Sequence, residues 1–114
     1  EFVEPLAALN KEWGDITMHI GMKAMENPDE AGAASVDFLM YSGYATLAYL
    51  WAMAADKAQQ ALAAGTEEEA FYNAKIATAR FYFQRILPRT RTCVETIKSG
   101  ADSLMELPAE DFAF

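Results

Sequence analysis

Long apolar stripes at helical spacing, separated by two short breaks, constrain this chain more than any other feature. The first stripe has intervals of three and four residues and consists of Leu6, Leu9, Trp13, Ile16 and Ile20. Such spacing places the side chains on one side of a helix. Asn27-Pro28 then ends the helix, because a residue before proline is pushed out of the helical region. The pattern predicts a first helix from about Pro5 to about Glu26.

A second helix is predicted from about Asp29 or Ala33 to about Ala64, where Gly65 offers a left-handed cap. We expect its inner side to consist of Val36, Met40, Leu47, Trp51, Ala54 and Ala58. The uncharged run 38–55 has eighteen residues, which approaches the length of a membrane span. Its tyrosines, and the lack of a neighbouring Lys or Arg cluster, favour instead a helix that is buried on several sides.

The third helix is predicted to open at Thr66, whose hydroxyl and Glu69 form the pattern of a capping box. Its core stripe consists of Tyr72, Ile76, Ala79, Phe83, Ile86, Thr90, Cys93 and Ile97. The stripe continues past Pro88, so we expect a helix kinked at Pro88 that ends at Ser99-Gly100. Short breaks imply antiparallel neighbours. The fold class is therefore all-α: an antiparallel up-down bundle of three long helices, or four if one is split.

Composition limits the chemistry that this chain can carry. Its 114 residues suit a single helical-bundle domain spanning 1–114, and the first residue, Glu1, suggests a piece of a longer protein. The formal net charge of -8 argues against general nucleic-acid binding. His19 is the only histidine and Cys93, on the core stripe, is the only cysteine. We predict no catalytic, cofactor-binding or metal-binding residue, and we interpret Cys93 as a structural thiol.

Basic residues are concentrated in the third helix. Residues 70–94 contain five cations and no acid: Lys75, Arg80, Arg85, Arg89 and Arg91. Arg85 and Arg89 share one side, as Arg80 and Arg91 share another. Pairing with acidic neighbours and with helix-end carbonyls is the favoured interpretation. The alternative is contact with a phosphate-bearing ligand or with an acidic surface elsewhere in a larger protein, and Arg85 and Arg89 are the candidates for such an anion contact.

Some aromatic residues point away from the predicted core stripes. They are Phe38 and Tyr49 on the second helix and Phe81 on the third. A neighbouring helix could cover them, or they could be isolated exposed residues. The other interpretation is a docking surface for further protein, because apolar groups on more than one side suggest partners beyond three helices.

Several segments together resemble a known family. They are Asp37-Phe38-Leu39 through Gly43 to Trp51-Ala52-Met53-Ala54, the stretch FYNAKIATARFYF at 71–83, Arg85-Ile86-Leu87-Pro88, Gly100-Ala101-Asp102-Ser103-Leu104-Met105, and Leu107-Pro108-Ala109. This pattern resembles the C-terminal helical domain of a large bacterial acyl-CoA dehydrogenase subfamily, of the 3-methylmercaptopropionyl-CoA dehydrogenase type. The resemblance covers about residues 2–112 and is strongest from Phe71 onward.

The resemblance implies that the chain is the C-terminal fragment of a cytoplasmic, FAD-dependent oxidoreductase of fatty-acid metabolism. Such flavoproteins remove hydrogen from the α and β carbons of an acyl-CoA thioester. Their catalytic base and most FAD contacts lie in upstream domains, so no cofactor is expected in this fragment. Its partners would be the remaining domains of the same polypeptide, and acyl-CoA through a parent that is a homo-oligomer. The alternative is a free-standing helical interaction module that self-associates.

Overall fold

Helices and turns form the computed structural model, which describes residues 1–112. The helices are α1 (Val3–Glu26), α2 (Asp29–Ala63), α3 (Glu69–Phe81), α4 (Thr90–Ser99) and α5 (Asp102–Met105), followed by a 3₁₀ turn at Ala109–Asp111. This part of the chain contains no strand. α1 packs along α2, and α3 and α4 return along α2. The predicted all-α antiparallel bundle is confirmed, with the third predicted helix split into α3 and α4.

The two breaks between long helices differ in backbone conformation and hydrogen bonding. At the first, Asn27 is extended, and its Oδ1 accepts a hydrogen bond from the Asp29 N–H at 3.1 Å. At the second, Gly65 has φ +81 and donates to the Leu62 carbonyl, while Thr66 donates to the Ala61 carbonyl. This pair of bonds is a Schellman motif, which satisfies the last carbonyls of α2. The predicted glycine cap is confirmed.

The predicted capping box at Thr66 is wrong. The Thr66 hydroxyl accepts the N–H of Glu68, two residues on, at 3.1 Å, and α3 begins only at Glu69. The physical reason is that Thr66 belongs to the Schellman motif that ends α2. The helix that follows opens three residues after Thr66, with Glu68 as its N-cap residue.

Pro88 is accommodated by an irregular segment between α3 and α4. A π-helical turn spans Tyr82–Ile86 and a 3₁₀ turn spans Leu87–Arg89. Proline has no N–H and its ring clashes with the carbonyl four residues earlier, so the α-helical ladder cannot run through it. The Leu87 N–H bonds instead to the Tyr82 carbonyl, five residues earlier. The expected disruption of the α-helix at Pro88 is present, and the wider π-helical turn lies just before the proline.

The π-helical turn also brings an aromatic residue into the core. Tyr82 is buried, and its hydroxyl donates to the Tyr44 carbonyl of α2 at 2.7 Å. Burial raises the pKa of the Tyr82 hydroxyl to about 12. An extra residue in the turn rotates the rest of the helix about its axis, so adjacent positions face inward where a regular helix would present only one. Tyr82 therefore joins the π-helical turn to α2.

Two of the three predicted stripes are the buried stripes of the structure. In α1, Leu9 and Ile16 are buried, and Leu6, Trp13 and Ile20 are partly buried against the same core. In the third predicted helix the buried members are Ile76, Ala79, Thr90, Cys93 and Ile97. Polar residues flank both stripes, so the contrast between the two sides of each helix identified the inner one.

The predicted inner stripe of α2 is wrong at three of its six positions. Val36 is 70% exposed and Leu47 is 47% exposed, and Met40 is also exposed. Ala58 is buried as predicted, and Trp51 and Ala54 are partly buried. The buried side consists of Ala34, Tyr41, Ala45, Ala48, Ala55 and Ala58. Alanine lets neighbouring helices approach closely, so packing selected the side with small residues.

The bundle is more elongated than a compact domain with the same number of residues. Its radius of gyration is 19.4 Å, and its extents are 68 × 33 × 14 Å. A compact domain of this size has a radius of gyration of about 13 Å. Large apolar side chains consequently remain at the surface of α2. Within the described residues, no helix combines the length and the hydropathy that a membrane span requires.

Candidate functional site

A buried tyrosine connects the first two helices. Tyr41 of α2 is fully buried, at 0% exposure. Its hydroxyl lies 2.8 Å from Glu12 Oε1 and 3.0 Å from the Leu9 carbonyl oxygen, so one hydroxyl hydrogen is shared between two acceptors. Burial, followed by the Glu12 carboxylate, raises the pKa of Tyr41. The hydroxyl remains protonated and holds α1 in register on α2.

Glu12 extends the same network to the fourth helix. The Arg91 guanidinium of α4 holds the Glu12 carboxylate through both of its oxygens, with Nη1 at 2.8 Å from Oε2. Burial by itself would raise the pKa of Glu12, but hydrogen bonds from Arg91 and Tyr41 outweigh it and the pKa is lowered. Glu12 is therefore ionised at neutral pH. Three helices meet at Tyr41, Glu12 and Arg91, which we call the hub.

Two apolar grooves lie between α1 and α2. One, of about 480 Å³, is lined by residues that include Leu6, Trp13 and Tyr49. The other, of about 650 Å³, is lined by residues that include Ile20 and Phe38. At about 100° per residue, their lining positions fall on one side of each helix. No charged side chain lines either groove among residues 1–112.

A hydrogen bond separates the two grooves. The Trp13 indole N–H donates to Ser42 Oγ at 3.1 Å, which fixes the indole ring between them. The grooves therefore form one elongated apolar surface with a polar contact near its middle. We call this surface the groove face, and it consists of Leu6, Trp13, Ile20, Phe38 and Tyr49. The hub stabilises the groove face, because the hub sets the position of α1 on α2.

The structure places the predicted docking residues on two different surfaces. Tyr49 is 55% exposed, as predicted, and belongs to the groove face. Phe38 also belongs to the groove face, but it is partly buried and packs against the core, so the prediction that it points away from the core is wrong. Phe81 of α3 is 57% exposed and lines neither groove. The docking role of all three residues stays a prediction, and the geometry unites Phe38 with Tyr49 only.

The basic residues of the third predicted helix have different environments. Arg80 pairs with Glu1 through two hydrogen bonds, and Arg91 pairs with Glu12. Lys75 Nζ lies 5.0 Å from the centre of the Phe71 ring. Pairing, the favoured interpretation, therefore describes two of the four arginines.

Arg85 and Arg89 are exposed and form no ion pair with any residue of the described part of the chain. Arg85 lies in the π-helical turn and Arg89 in the 3₁₀ turn, on either side of Pro88. Their contact with an anion stays a prediction.

Cys93 belongs to the hydrophobic core, whereas His19 is partly buried among charged residues. Cys93 is buried, and burial, followed by the charge of Asp37, raises the pKa of its thiol. A thiol with a raised pKa is a weak nucleophile at neutral pH. His19 is partly buried on the same side of α1 as Glu12 and Asp15. Among residues 1–112, no group of three or more His, Cys, Asp or Glu could hold a metal ion.

Sequence reasoning missed the hub. Tyr41 is the fourth residue of the uncharged run 38–55, where nothing marks which side faces inward. One signal was present: a tyrosine in a long apolar helix needs a hydrogen-bond partner if it is buried. Glu12 is the acidic residue of α1 that supplies this partner, and only the packing of α1 against α2 shows it.

Comparison with known proteins gives a family and a relative. Residues 1–108 match the family described as "Acetyl-CoA dehydrogenase C-terminal like". Over 87 residues the chain is 34% identical to a 3-methylmercaptopropionyl-CoA dehydrogenase from Ruegeria pomeroyi. That match covers 76% of this chain and 15% of the relative. The chain is thus similar to a small part of a much longer protein.

Proposed function

Because the chain belongs to the acetyl-CoA dehydrogenase C-terminal-like family, we propose that it is the C-terminal accessory domain of a longer FAD-dependent acyl-CoA dehydrogenase. The parent enzyme would remove hydrogen from the α and β carbons of an acyl-CoA thioester. It would act in the cytoplasm, in fatty-acid metabolism, as a homo-oligomer. The match of residues 1–108 to the family carries this proposal.

The role of this domain would be to dock on the remaining domains of the same polypeptide. The groove face suits such a role, because it is apolar, elongated and without charged lining residues. Exposed apolar patches of this kind mark surfaces that other protein covers. The hub keeps α1 and α2 in the arrangement that the docked surface requires.

The domain would take no part in the chemical step. Residues 1–112 do not fit FAD: a diphosphate is held by backbone N–H groups at a helix N-terminus, usually in a glycine-rich loop. The described glycines with positive φ, Gly65 and Gly100, lie at the C-terminal ends of α2 and α4 instead. Helix C-termini present carbonyl oxygens, which repel a diphosphate. We therefore assign FAD to other domains of the parent.

A first experiment titrates FAD into the purified chain. We expect neither stoichiometric binding at micromolar concentration nor a shift of the flavin absorption bands. Stoichiometric binding with such a shift would show that the chain is itself a flavin-binding unit and would refute the accessory role.

A second experiment tests the groove face. The upstream part of the parent, produced separately, is titrated with this chain, and binding is measured by calorimetry. We expect Tyr49→Asp to weaken binding at least about tenfold, because it places a charge in an apolar contact. The matched control is Leu104→Asp, at an exposed position of α5. Equal binding by the Tyr49→Asp variant and the original chain would exclude the groove face as the docking surface.

A further inference from the structure

A second apolar surface runs along the exposed outer side of α2. We call it the α2 ridge, and it consists of Val36, Leu39, Met40, Gly43, Leu47 and Leu50, all of them exposed. At about 100° per residue these positions span an arc of roughly 100°. Asp37 is the only charged residue between Ala31 and Ala55, and it lies about 110° from the centre of that arc. The ridge borders the groove face at Leu39 but points away from it.

The ridge is self-complementary about its central glycine. Leu39 and Leu47 lie four residues before and after Gly43, and Val36 and Leu50 lie seven residues before and after it. At about 1.5 Å per residue, the outer pair stands roughly 10 Å on either side of the centre. An antiparallel helix pair brings each residue opposite the one at equal distance on the other side of the axis. Leucine would then meet leucine, and valine would meet leucine.

Charges at the two ends of the ridge follow the same symmetry. Asp29 lies fourteen residues before Gly43 and Lys57 lies fourteen residues after it. Both side chains are exposed, and neither forms an ion pair within residues 1–112. In an antiparallel pair, Asp29 of one copy faces Lys57 of the other at both ends. A parallel pair would place aspartate beside aspartate and lysine beside lysine.

Gly43 explains how two such helices could approach closely. A glycine inside a helix costs roughly 0.5–1 kcal/mol relative to alanine. Apart from Gly43 itself, its two neighbours and the adjoining helix backbone, no heavy atom of residues 1–112 lies within 4 Å of the position that a Cβ at Gly43 would occupy. Packing within the bundle therefore gives no reason for the missing side chain. At a two-fold axis, the same absence lets the two backbones come together.

We infer that the α2 ridge binds a second copy of this chain, with the two α2 helices antiparallel about a two-fold axis at Gly43. The ridge is apolar along its length. The charges of Asp29 and Lys57 favour the antiparallel over the parallel orientation of the two helices. This inference goes beyond the docking role, because that role uses the groove face. Among residues 1–112, Leu39 is the only ridge residue that also lines a groove between α1 and α2.

Charge exchange tests the inference by sedimentation velocity, over a concentration range that extends from micromolar to submillimolar. We expect Asp29→Lys or Lys57→Asp to weaken the dimer about tenfold, because each variant creates two repulsive contacts. An equimolar mixture of the two variants, and the double variant Asp29→Lys/Lys57→Asp, should regain the original affinity. A single-variant affinity equal to that of the original chain would overturn the antiparallel arrangement.

Leu47→Asp tests the apolar centre of the ridge, with Leu104→Asp as the matched exposed control. We expect the first variant to be monomeric and the second to dimerise as the original chain does. Circular dichroism confirms that both variants are folded. An original chain that stays monomeric at every concentration would overturn the inference. That result would leave the FAD and groove-face experiments unaffected.

Cross-linking gives an independent measure of direction in a Cys93→Ala background. Val36→Cys mixed with Leu50→Cys should form a disulfide-linked dimer on oxidation, because these positions face each other in the antiparallel pair. Each variant alone should remain unlinked. Linking by Val36→Cys alone would indicate a parallel pair and contradict the proposal.

Discussion

Replacing Tyr41 with phenylalanine removes one hydroxyl from the hub and leaves the ring in place. The hydroxyl lies 2.8 Å from the Glu12 carboxylate and 3.0 Å from the Leu9 carbonyl. A hydrogen bond to a charged group contributes about 1.5–3 kcal/mol to stability. Glu12 keeps Arg91, so no buried charge is stranded. We expect Tyr41→Phe to lower the free energy of unfolding by about 2 kcal/mol.

Thermal and urea unfolding, followed by circular dichroism, measure this loss. For a chain of this length, about 2 kcal/mol corresponds to a decrease in Tm of roughly 8 °C. Tyr49→Phe is the matched control on the same helix, because Tyr49 is exposed and its hydroxyl forms no hydrogen bond with residues 1–112. We expect the control to change stability by less than about 0.5 kcal/mol.

The pH dependence of the same substitution follows from the lowered pKa of Glu12. In the folded state the pKa of Glu12 lies below its ordinary value of 4.5. The network therefore contributes its full stabilisation of the folded chain above pH 4.5. The contribution is lost as the pH falls through the lowered folded-state pKa. We therefore expect Tyr41→Phe to cost more at pH near 7 than at pH near 3. In a Glu12→Gln background the cost should fall to about 1 kcal/mol, that of a neutral hydrogen bond.

Two results would refute this reasoning. The first is a Tyr41→Phe variant as stable as the original chain at neutral pH. The second is an equal loss in the presence and absence of the Glu12 carboxylate, which would show that Tyr41 and Glu12 are not coupled.

Three further perturbations test other parts of the fold. Gly65→Ala should cost about 1 kcal/mol in urea unfolding because φ is +81 there, whereas Gly14→Ala, in an exposed helical position, should be neutral or stabilising; equal effects would contradict the cap. Ala48→Leu should cost about 1–3 kcal/mol by overpacking a fully buried site, and the exposed Ala77→Leu should cost little. Cys93 should be alkylated slowly in the folded chain and rapidly in denaturant, as followed by mass spectrometry; rapid labelling of the folded chain would contradict its burial.

Much of the fold was predictable because local signals agreed with the packing. The stripe of α1, the stripe shared by α3 and α4, and the glycine ends at Gly65 and Gly100 all depend on contrasts within a few residues. Such contrasts can be recognised in a sequence because they concern neighbours on one helix. The disruption at Pro88 could be predicted for the same reason, although its π-helical form could not.

The candidate surfaces were only partly predictable. Phe38 and Tyr49 were predicted to point away from the core; Tyr49 is exposed, but Phe38 packs against the core, and the two residues share the groove face. Phe81 was grouped with them, yet it lies on α3, away from the groove face. A helical projection gives the direction of a side chain from its own axis. It does not tell where another helix places its axis, so residues on different helices could not be assigned to a common surface.

By itself, the sequence determined the helices, the glycine and proline breaks between them, and the inner sides of α1 and of α3 and α4, because polar residues mark the outer sides. Only the tertiary structure decided which side of α2 is buried, since α2 is apolar almost all round and offers no such contrast. Close packing then selected alanines and Tyr41 for the inside and left Val36, Leu39, Leu47 and Leu50 outside. The tertiary structure also decided the pairing of Tyr41, Glu12 and Arg91, because residues far apart in sequence meet only when three helices assemble.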